Sequence, residues 1–235
     1  MQKYSIGVLT YQIAHRKTWD TLALLKAKGY ENIQVFATPL FYQKKFLPLY
    51  DHRPTLPDLK RLSFELDTRE ICKNYHYYYY EIDGYDELED ASPDVYLVCG
   101  AGILPQKLIQ TKKVVNCHPG YIPLARGLDA FKWAIVENLP LGVTSHIIGS
   151  EVDAGEIIQR VEVPMFPQDT FYELAQRQYD YEVYLLVQAL EHLDEKHIYL
   201  PAGNTVQHRR MPQEIEKNLM NYFEKYKENY FKKAK

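Results

Sequence analysis

Short apolar runs alternate with helix-like segments through the amino-terminal half of the chain, and this alternation narrows the choice of fold. Residues 4–10 suit a buried strand, residues 18–28 have helical spacing and end before Gly29, and residues 33–37 suit a second strand. A strand–helix–strand order favours a parallel sheet with a right-handed crossover. Ligands of such sheets bind beyond the carboxyl ends of the strands.

The same alternation continues along the chain and predicts an α/β fold, with a Rossmann-like parallel sheet, a mixed edge and flanking helices. Further strands are predicted at residues 77–82, 94–99, 114–116 and 142–148, and helices at residues 58–74, 128–137, 169–193, 213–235 and from Gln106 onward. Residues 41–57 contain three prolines and indicate a long loop. We expect a catalytic domain over residues 1–195 and a short strand-and-helix extension over residues 196–235.

The composition excludes several classes of protein. A net charge of -3 offers no general attraction for nucleic acid. The first residues do not show the basic-then-apolar pattern of a secretory leader, and the sequence contains no apolar run of about 18 residues that could span a bilayer. Three cysteines, an odd number without metal-ligand spacing, suit a reducing compartment. We therefore expect a cytoplasmic protein that binds neither nucleic acid nor a membrane.

Residues 114–160 contain the polar groups that point to chemistry. Asn116 and His118 are two residues apart in an extended segment, so their side chains share a face. Asp153 lies in a later loop, from which a carboxylate can reach back. An amide can stabilise a developing oxyanion, an imidazole can move a proton, and a carboxylate can orient the imidazole. Each residue taken alone is also an ordinary turn residue.

The same stretch contains a series of short motifs in a fixed order: Asn116-Cys117-His118-Pro119, Tyr121-Ile122-Pro123, Arg126-Gly127, Trp133-Ala134-Ile135, Gly142-Val143-Thr144-x-His146 and Asp153-x-Gly155-x-Ile157. Together these motifs resemble the core of the folate-dependent formyltransferases, and most of all the sugar N-formyltransferases. It implies the formyltransferase fold, 10-formyltetrahydrofolate as the formyl donor and a primary amine as the acceptor. The catalytic asparagine, histidine and aspartate of the family fall on Asn116, His118 and Asp153. No metal is implied.

The resemblance also implies further site residues. Donor-binding positions fall on Gly102, Ile103, Leu104, Val152 and Asp153. Thr144 and His146 would support the donor loop and Asp153, although a packing role is equally compatible with their alternation. Acceptor contacts are assigned to Arg126, Tyr121 and Tyr11; Arg126 would bind an acceptor phosphate or brace its turn.

Two departures from the family narrow the acceptor. The loop after the first strand contains no glycine, whereas ribonucleotide transformylases carry a phosphate-binding Gly-rich loop there; His15, Arg16 and Lys17 are the substitutes available for an anion. The extension is also shorter than the tRNA-holding domain of methionyl-tRNA formyltransferases. We expect a small-molecule acceptor, a nucleotide-activated amino sugar used for surface polysaccharide (or lipopolysaccharide) synthesis.

Other readings stay open. One alternative is an enzyme that formylates an aminoacyl group on a carrier or on tRNA. Another is an enzyme that hydrolyses formyltetrahydrofolate with the same three residues. A folate-binding protein without activity is the non-enzymatic alternative. A homodimer is compatible with the sequence, which identifies neither the sugar nor the subunit count.

Overall fold

The computed structural model describes residues 3–40, 48–52, 67–88, 91–149, 153, 155–201 and 203–233. In these residues a central sheet is flanked by helices on both faces. Alternate strand residues enter two apolar clusters: Val8, Leu97 and Val115 pack on one face, and Leu9, Tyr96 and Val114 pack on the other. This alternation is the two-residue period of a strand buried on both sides.

Five parallel strands form the first part of the sheet. They are β1 (Ile6–Tyr11), β2 (Gln34–Thr38), β3 (Tyr78–Glu81), β4 (Val95–Val98) and β5 (Lys113–His118). Their spatial order is β3-β2-β1-β4-β5, and each neighbouring pair is parallel. The predicted parallel sheet is therefore confirmed, and the carboxyl ends of β4 and β5 lie side by side.

The sheet changes direction after β5. Three further strands of this sheet follow in the order β7 (Gly142–Ile148), β8 (Gly155–Glu162) and β9 (Ile198–Leu200), and each pairs antiparallel with the strand before it. The expected mixed edge is confirmed. In the β5–β7 register, Asn116 lies opposite His146 and His118 opposite Thr144.

The helices lie where apolar spacing predicts them, with shifts at their ends. They are α1 (Arg16–Ala27), α2 (Thr68–Tyr75), α3 (Gln106–Thr111), α4 (Ala130–Val136) and α5 (Phe171–His192). The longest, α5, begins with a capping box between Thr170 and Glu173. The helix predicted over residues 58–74 starts outside the described residues, and most of the predicted loop over residues 41–57 also lies outside them.

The carboxyl-terminal part is built into the rest of the protein. A two-residue strand, β6 (Arg126–Gly127), pairs in parallel with β10 (Gln207–His208), and α6 (Gln213–Glu216) and α7 (Leu219–Lys233) follow. The predicted tail helix is thus interrupted near Asn218. Because β9 belongs to the main sheet, residue 195 does not mark the end of the sheet, and the domain division stays a prediction. Among the described residues, no helix combines the length and apolar character needed to cross a membrane.

Candidate active site

Asn116 and His118 lie at the carboxyl end of β5, where the parallel part of the sheet meets the antiparallel part. Both side chains line a cleft of about 750 Å³, and Asp153 lines it as well. The sheet edge thus brings together the amide, the imidazole and the carboxylate that the sequence singled out.

The His118 ring is held by two oxygen atoms. Its Nδ1 lies 3.3 Å from Oδ1 of Asp153, and its Nε2 lies 3.1 Å from the carbonyl oxygen of Ala125. Carbonyl and carboxylate oxygens only accept hydrogen bonds, so both contacts are made together when each ring nitrogen carries a proton. The ring is therefore fixed in orientation next to a carboxylate that can share its proton.

Asp153 is held by the strand that contains Gly127. The Gly127 amide donates to Oδ2 of Asp153 at 2.8 Å, and Nε of Arg126 donates to the Asp153 carbonyl oxygen at 3.0 Å. The backbone of Asp153 is left-handed, with φ at 46°. Its two carboxylate oxygens thus have separate partners, one a backbone N–H and the other the His118 ring.

His146 lies behind Asn116, opposite it in the β5–β7 register. Nε2 of His146 is 3.4 Å from Nδ2 of Asn116. Burial lowers the pKa of His146 to about 4, so the imidazole is neutral at pH 7 and Nε2 can accept from the amide. Within the described part of the chain, Nδ1 has no hydrogen-bond partner. One amide N–H of Asn116 then faces His146, and the other is left for the cleft.

Thr144 organises the turn that follows His118. Its hydroxyl donates to the Gly120 carbonyl oxygen at 2.8 Å and accepts from the Ile122 amide at 3.2 Å. The sequence predicts that Thr144 and His146 support the donor loop and Asp153. The two side chains contact the 120–122 turn and Asn116, because they alternate along β7 opposite His118 and Asn116. Support of the donor loop and Asp153 stays a prediction.

The residues predicted to bind the donor lie on an apolar side of the cleft. Gly102, Ile103 and Leu104 follow β4 and line the cleft, and the Gly102 amide donates to the Tyr85 hydroxyl at 2.8 Å. Ile103 is 97% exposed. Val152 lies outside the described residues. The residues on this side that pack on the sheet cluster of Leu9 and Tyr96 are Val98, Ala101, Leu104, Ile109 and Ile148.

The other side of the cleft is more polar, and sequence reasoning did not identify its residues as site residues. It includes Asp51, His52, Lys132, Gln207 and Arg210. His52 stacks on Phe131 with ring centroids 5.1 Å apart. These side chains come from three distant segments, and no local spacing relates them. In the sequence, the basic run at residues 208–210 was the one feature that could have pointed to this polar side of the cleft.

The three residues predicted to bind the acceptor all make contacts with other residues of the protein. The Arg126 guanidinium contacts the Asp153 loop and the carbonyl of Thr205, which favours bracing over phosphate binding. The Arg160 guanidinium carbon lies over the Tyr121 ring, 4.2 Å from the ring centroid. The Tyr11 ring contacts His15, and burial raises the pKa of Tyr11. An acceptor role for these three residues stays a prediction without support from these contacts.

The basic residues at the start of α1 also have partners within the protein. Lys17 is buried and pairs with Glu182 at 2.7 Å, and Nδ1 of His15 lies 2.9 Å from the Thr18 hydroxyl. Arg16 lies over the Tyr179 ring and near Asp20. An anion bound by Lys17 would have to compete with its buried partner.

An amide, an imidazole and a carboxylate that meet in a cleft at the rim of an α/β sheet are the groups of an acyl-transfer site. The formyl transferase family model matches residues 72–190, about half of the chain, and the chain belongs to this family. The predicted family resemblance is thereby confirmed. Among the residues described, there is no cluster of three or more side chains suited to a metal ion.

Relatives of the chain are named for different acceptors. A methionyl-tRNA formyltransferase of Koribacter versatilis is 32% identical over 130 residues, which is 54% of this chain and 42% of the relative. A phosphoribosylglycinamide formyltransferase of Haemophilus influenzae is 33% identical over 108 residues, which is 43% of this chain and 51% of the relative. The chain thus matches about half the length of these relatives or less.

The fold is similar to that of solved sugar-modifying enzymes. An N-formyltransferase from Helicobacter canadensis, in complex with folinic acid and dTDP-3-aminofucose, superposes with a TM-score of 0.61 at 15% identity. The superposition covers 93% of this chain and 80% of that one. At this identity the likeness establishes the fold.

Proposed function

We propose that the protein transfers a formyl group from 10-formyltetrahydrofolate to the primary amine of a nucleotide-activated amino sugar. The observation that carries formyl transfer is the convergence of Asn116, His118 and Asp153 in one cleft, with Nδ1 of His118 3.3 Å from Asp153. The acceptor class rests on the walls of this cleft and on the internal pairing of Lys17 at the start of α1.

Asn116 would stabilise the charge that develops on the formyl oxygen. Attack by the amine on the formyl carbon makes a tetrahedral centre with a negative oxygen, and the second amide N–H of Asn116 is directed to the cleft. Loss of one such donor costs about 3–4 kcal/mol of transition-state stabilisation in other enzymes. His146 would hold the amide in this orientation.

The pair formed by His118 and Asp153 would handle the proton. A primary amine must lose a proton when its nitrogen forms the new amide bond, and the leaving nitrogen of the donor must gain one. An imidazole beside a carboxylate can serve both steps near neutral pH. The backbone donor of Gly127 keeps one carboxylate oxygen in place while the other faces the ring.

The two walls of the cleft suit two different ligands. The apolar wall that includes Ala101, Gly102 and Leu104 would accept a flat pterin, because the side chains there are small or apolar. The wall with Asp51, His52 and Arg210 would accept the polar acceptor. The amino-sugar complex of the structural relative from Helicobacter canadensis supports this choice.

Glycinamide ribonucleotide and methionyl-tRNA are the competing acceptors, because the sequence relatives use them. The buried Lys17–Glu182 pair argues against a phosphate at the start of α1. We place the reaction in the cytoplasm, a choice that the odd number of cysteines supports. A role in surface glycan synthesis and a homodimer remain part of this proposal.

A panel of amines assayed with 10-formyltetrahydrofolate tests the proposal. The panel contains nucleotide-linked amino sugars, glycinamide ribonucleotide, methionyl-tRNA and an aminoacyl carrier, and tetrahydrofolate release is measured. We expect release only with an amino sugar. Release without any amine would indicate a hydrolase, and efficient turnover of glycinamide ribonucleotide would overturn the sugar assignment.

Variants of the site test the roles of its residues. Asn116→Ala should lower kcat by about 100-fold or more, as expected for a lost oxyanion donor, with a melting temperature near that of the wild type. Asn74→Ala, at an exposed position of α2, is the matched control and should retain full activity. Equal activity of the two variants would contradict the assigned role.

A further inference from the structure

A carboxyl-terminal segment crosses the loop that holds the catalytic carboxylate. This segment, residues 207–211, is called the strap. Gln207 pairs with Arg126 and His208 with Gly127 in the parallel β6–β10 ladder, and the Leu128 amide donates to the His208 carbonyl oxygen at 2.9 Å. The strap therefore lies directly on the backbone of residues 126–128.

The fit between the strap and Gly127 leaves no room for a side chain. A Cβ atom at Gly127 would lie 2.1 Å from the His208 carbonyl oxygen, and φ of Gly127 is +87°. Both facts require glycine at this position. The close approach shows that the strap is seated in one register.

Side chains of α4 and its amino-terminal flank fasten the strap from the other side. Nε1 of Trp133 donates to the Arg209 carbonyl oxygen at 2.8 Å, and the Trp133 ring stacks on His208 with centroids 4.4 Å apart. Oδ2 of Asp129 accepts from the Met211 amide at 2.9 Å, and Oδ1 lies 3.6 Å from the Arg210 guanidinium.

The strand under the strap is the one that holds Asp153. The Gly127 amide donates to Oδ2 of Asp153, and Arg126 donates to its carbonyl oxygen. Arg126 also reaches the carbonyl of Thr205, just before the strap. A continuous set of contacts thus runs from Trp133 through the strap and Gly127 to Asp153 and on to His118.

We propose that the strap positions the catalytic carboxylate, with Trp133 as the positioning residue that fastens it. The proposal rests on the proposed function, because the effect on turnover presupposes formyl transfer. Loosening the strap frees Gly127, so the carboxylate loses its fixed donor and leaves its alignment with His118. The residues after β4 that are predicted to bind the donor, Gly102 to Leu104, lie in a separate loop and are unaffected.

Trp133→Phe in the full chain tests this proposal. The substitution keeps an aromatic ring against His208 and removes the indole N–H donor, a loss of about 1 kcal/mol, or roughly fivefold in an equilibrium. We expect kcat to fall about fivefold with the KM for the formyl donor unchanged, and the Gly127 amide to exchange with solvent about fivefold faster. Arg126–Gly127 is the only Arg-Gly pair in the sequence, so carbonyl-¹³C arginine with ¹⁵N glycine isolates this amide in NMR spectra.

Trp19→Phe is the matched control. Trp19 is the other tryptophan of the chain, and its Nε1 also donates one hydrogen bond, to the Thr68 hydroxyl at 3.1 Å. This variant should leave both kcat and Gly127 exchange unchanged. His208→Ala, which removes the stacked ring, should exceed Trp133→Phe in both effects.

The two readouts separate the strap from the proposed function. Unchanged Gly127 exchange in both Trp133→Phe and His208→Ala would overturn the proposal, and so would faster exchange with unchanged kcat. Absence of formyl transfer in the wild type would reject the proposed function. Gly127 exchange would then still decide whether the strap holds this amide on Asp153, because it is measured without substrate.

Discussion

His146 lies behind Asn116 as a buried, neutral imidazole. Burial lowers its pKa from 6.5 to about 4, so the folded protein resists taking up a proton at this site. The unfolded chain binds that proton once the pH falls below 6.5. Stability contributed by the neutral form is therefore present above pH 6.5 and is lost as the pH falls toward 4.

His146→Gln should remove this pH dependence. The wild-type free energy of unfolding should drop by about 3 kcal/mol between pH 6.5 and pH 4 because of this group, since each pKa unit corresponds to about 1.4 kcal/mol. Urea unfolding of both proteins across this range measures the difference. Parallel curves for wild type and variant would show that His146 does not carry the effect.

Single residues differ in how far the sequence predicts them. Asn116 and His118 could be placed together from the sequence because side chains alternate along a strand, and both residues line the cleft. Their catalytic roles stay a prediction. The buried environment of Lys17 was not predictable from the sequence, because its partner Glu182 lies on a helix far along the chain. A basic residue at a helix start has the same sequence signature whether it binds an anion or a buried carboxylate.

At the scale of elements, the buried ion pair between Lys132 of α4 and Glu216 of α6 connects the extension to the cleft. Glu216 also accepts from the Leu49 amide at 2.8 Å and from the Tyr50 amide at 3.3 Å. Burial alone would raise the pKa of Glu216, but the hydrogen bonds from Lys132 and Leu49 hold it below its ordinary value. The pair thus fixes residues 49 and 50 beside the polar wall.

Lys132→Met should destabilise the protein by about 3–5 kcal/mol, because it leaves the Glu216 carboxylate buried without its cation. The double variant Lys132→Met/Glu216→Gln should recover part of this loss. Chemical denaturation measures both. Lys232→Met, which breaks an exposed pair with Glu228, is the control and should cost under about 1 kcal/mol. A similar small cost for Lys132→Met would contradict the assignment.

Long elements were predicted better than short ones. The strand at residues 142–148 has the predicted bounds, because four of its seven residues are β-branched and Gly149 follows it. The two-residue strands β6 and β10 have no periodicity of their own, and their pairing depends on the distant contacts of the strap. The sequence therefore predicts a short strand in the extension but does not identify its partner strand.

At the scale of the whole molecule, the extension and the catalytic part share one core. Leu219, Phe223 and Tyr226 of α7 are buried in the same cluster as the helix α4 residues Phe131 and Ile135. β9 adds a strand to the main sheet. The fold class was predictable from the order of elements, but this sharing of the core was not, because it depends on which faces meet.

A fragment of residues 1–195 should therefore not fold by itself. Loss of the buried side chains of Leu219, Phe223 and Tyr226 alone lowers the free energy of unfolding by roughly 5–9 kcal/mol, which is comparable to the whole stability of a typical domain. Circular dichroism and urea unfolding of the fragment test this expectation. A cooperative transition like that of the full chain would establish residues 1–195 as an independent domain.

The strap is attached to the loop beneath it by a ladder only two residues long, whereas the strands that carry Asn116 and the donor wall lie inside an eight-stranded sheet. Such a short ladder belongs to the parts of a protein that open at low free-energy cost. Inactivation on mild heating would then precede melting of the sheet, and a preparation with an intact circular dichroism spectrum would already have lost turnover. Enzyme activity would therefore report a loss of native structure earlier than the circular dichroism spectrum does.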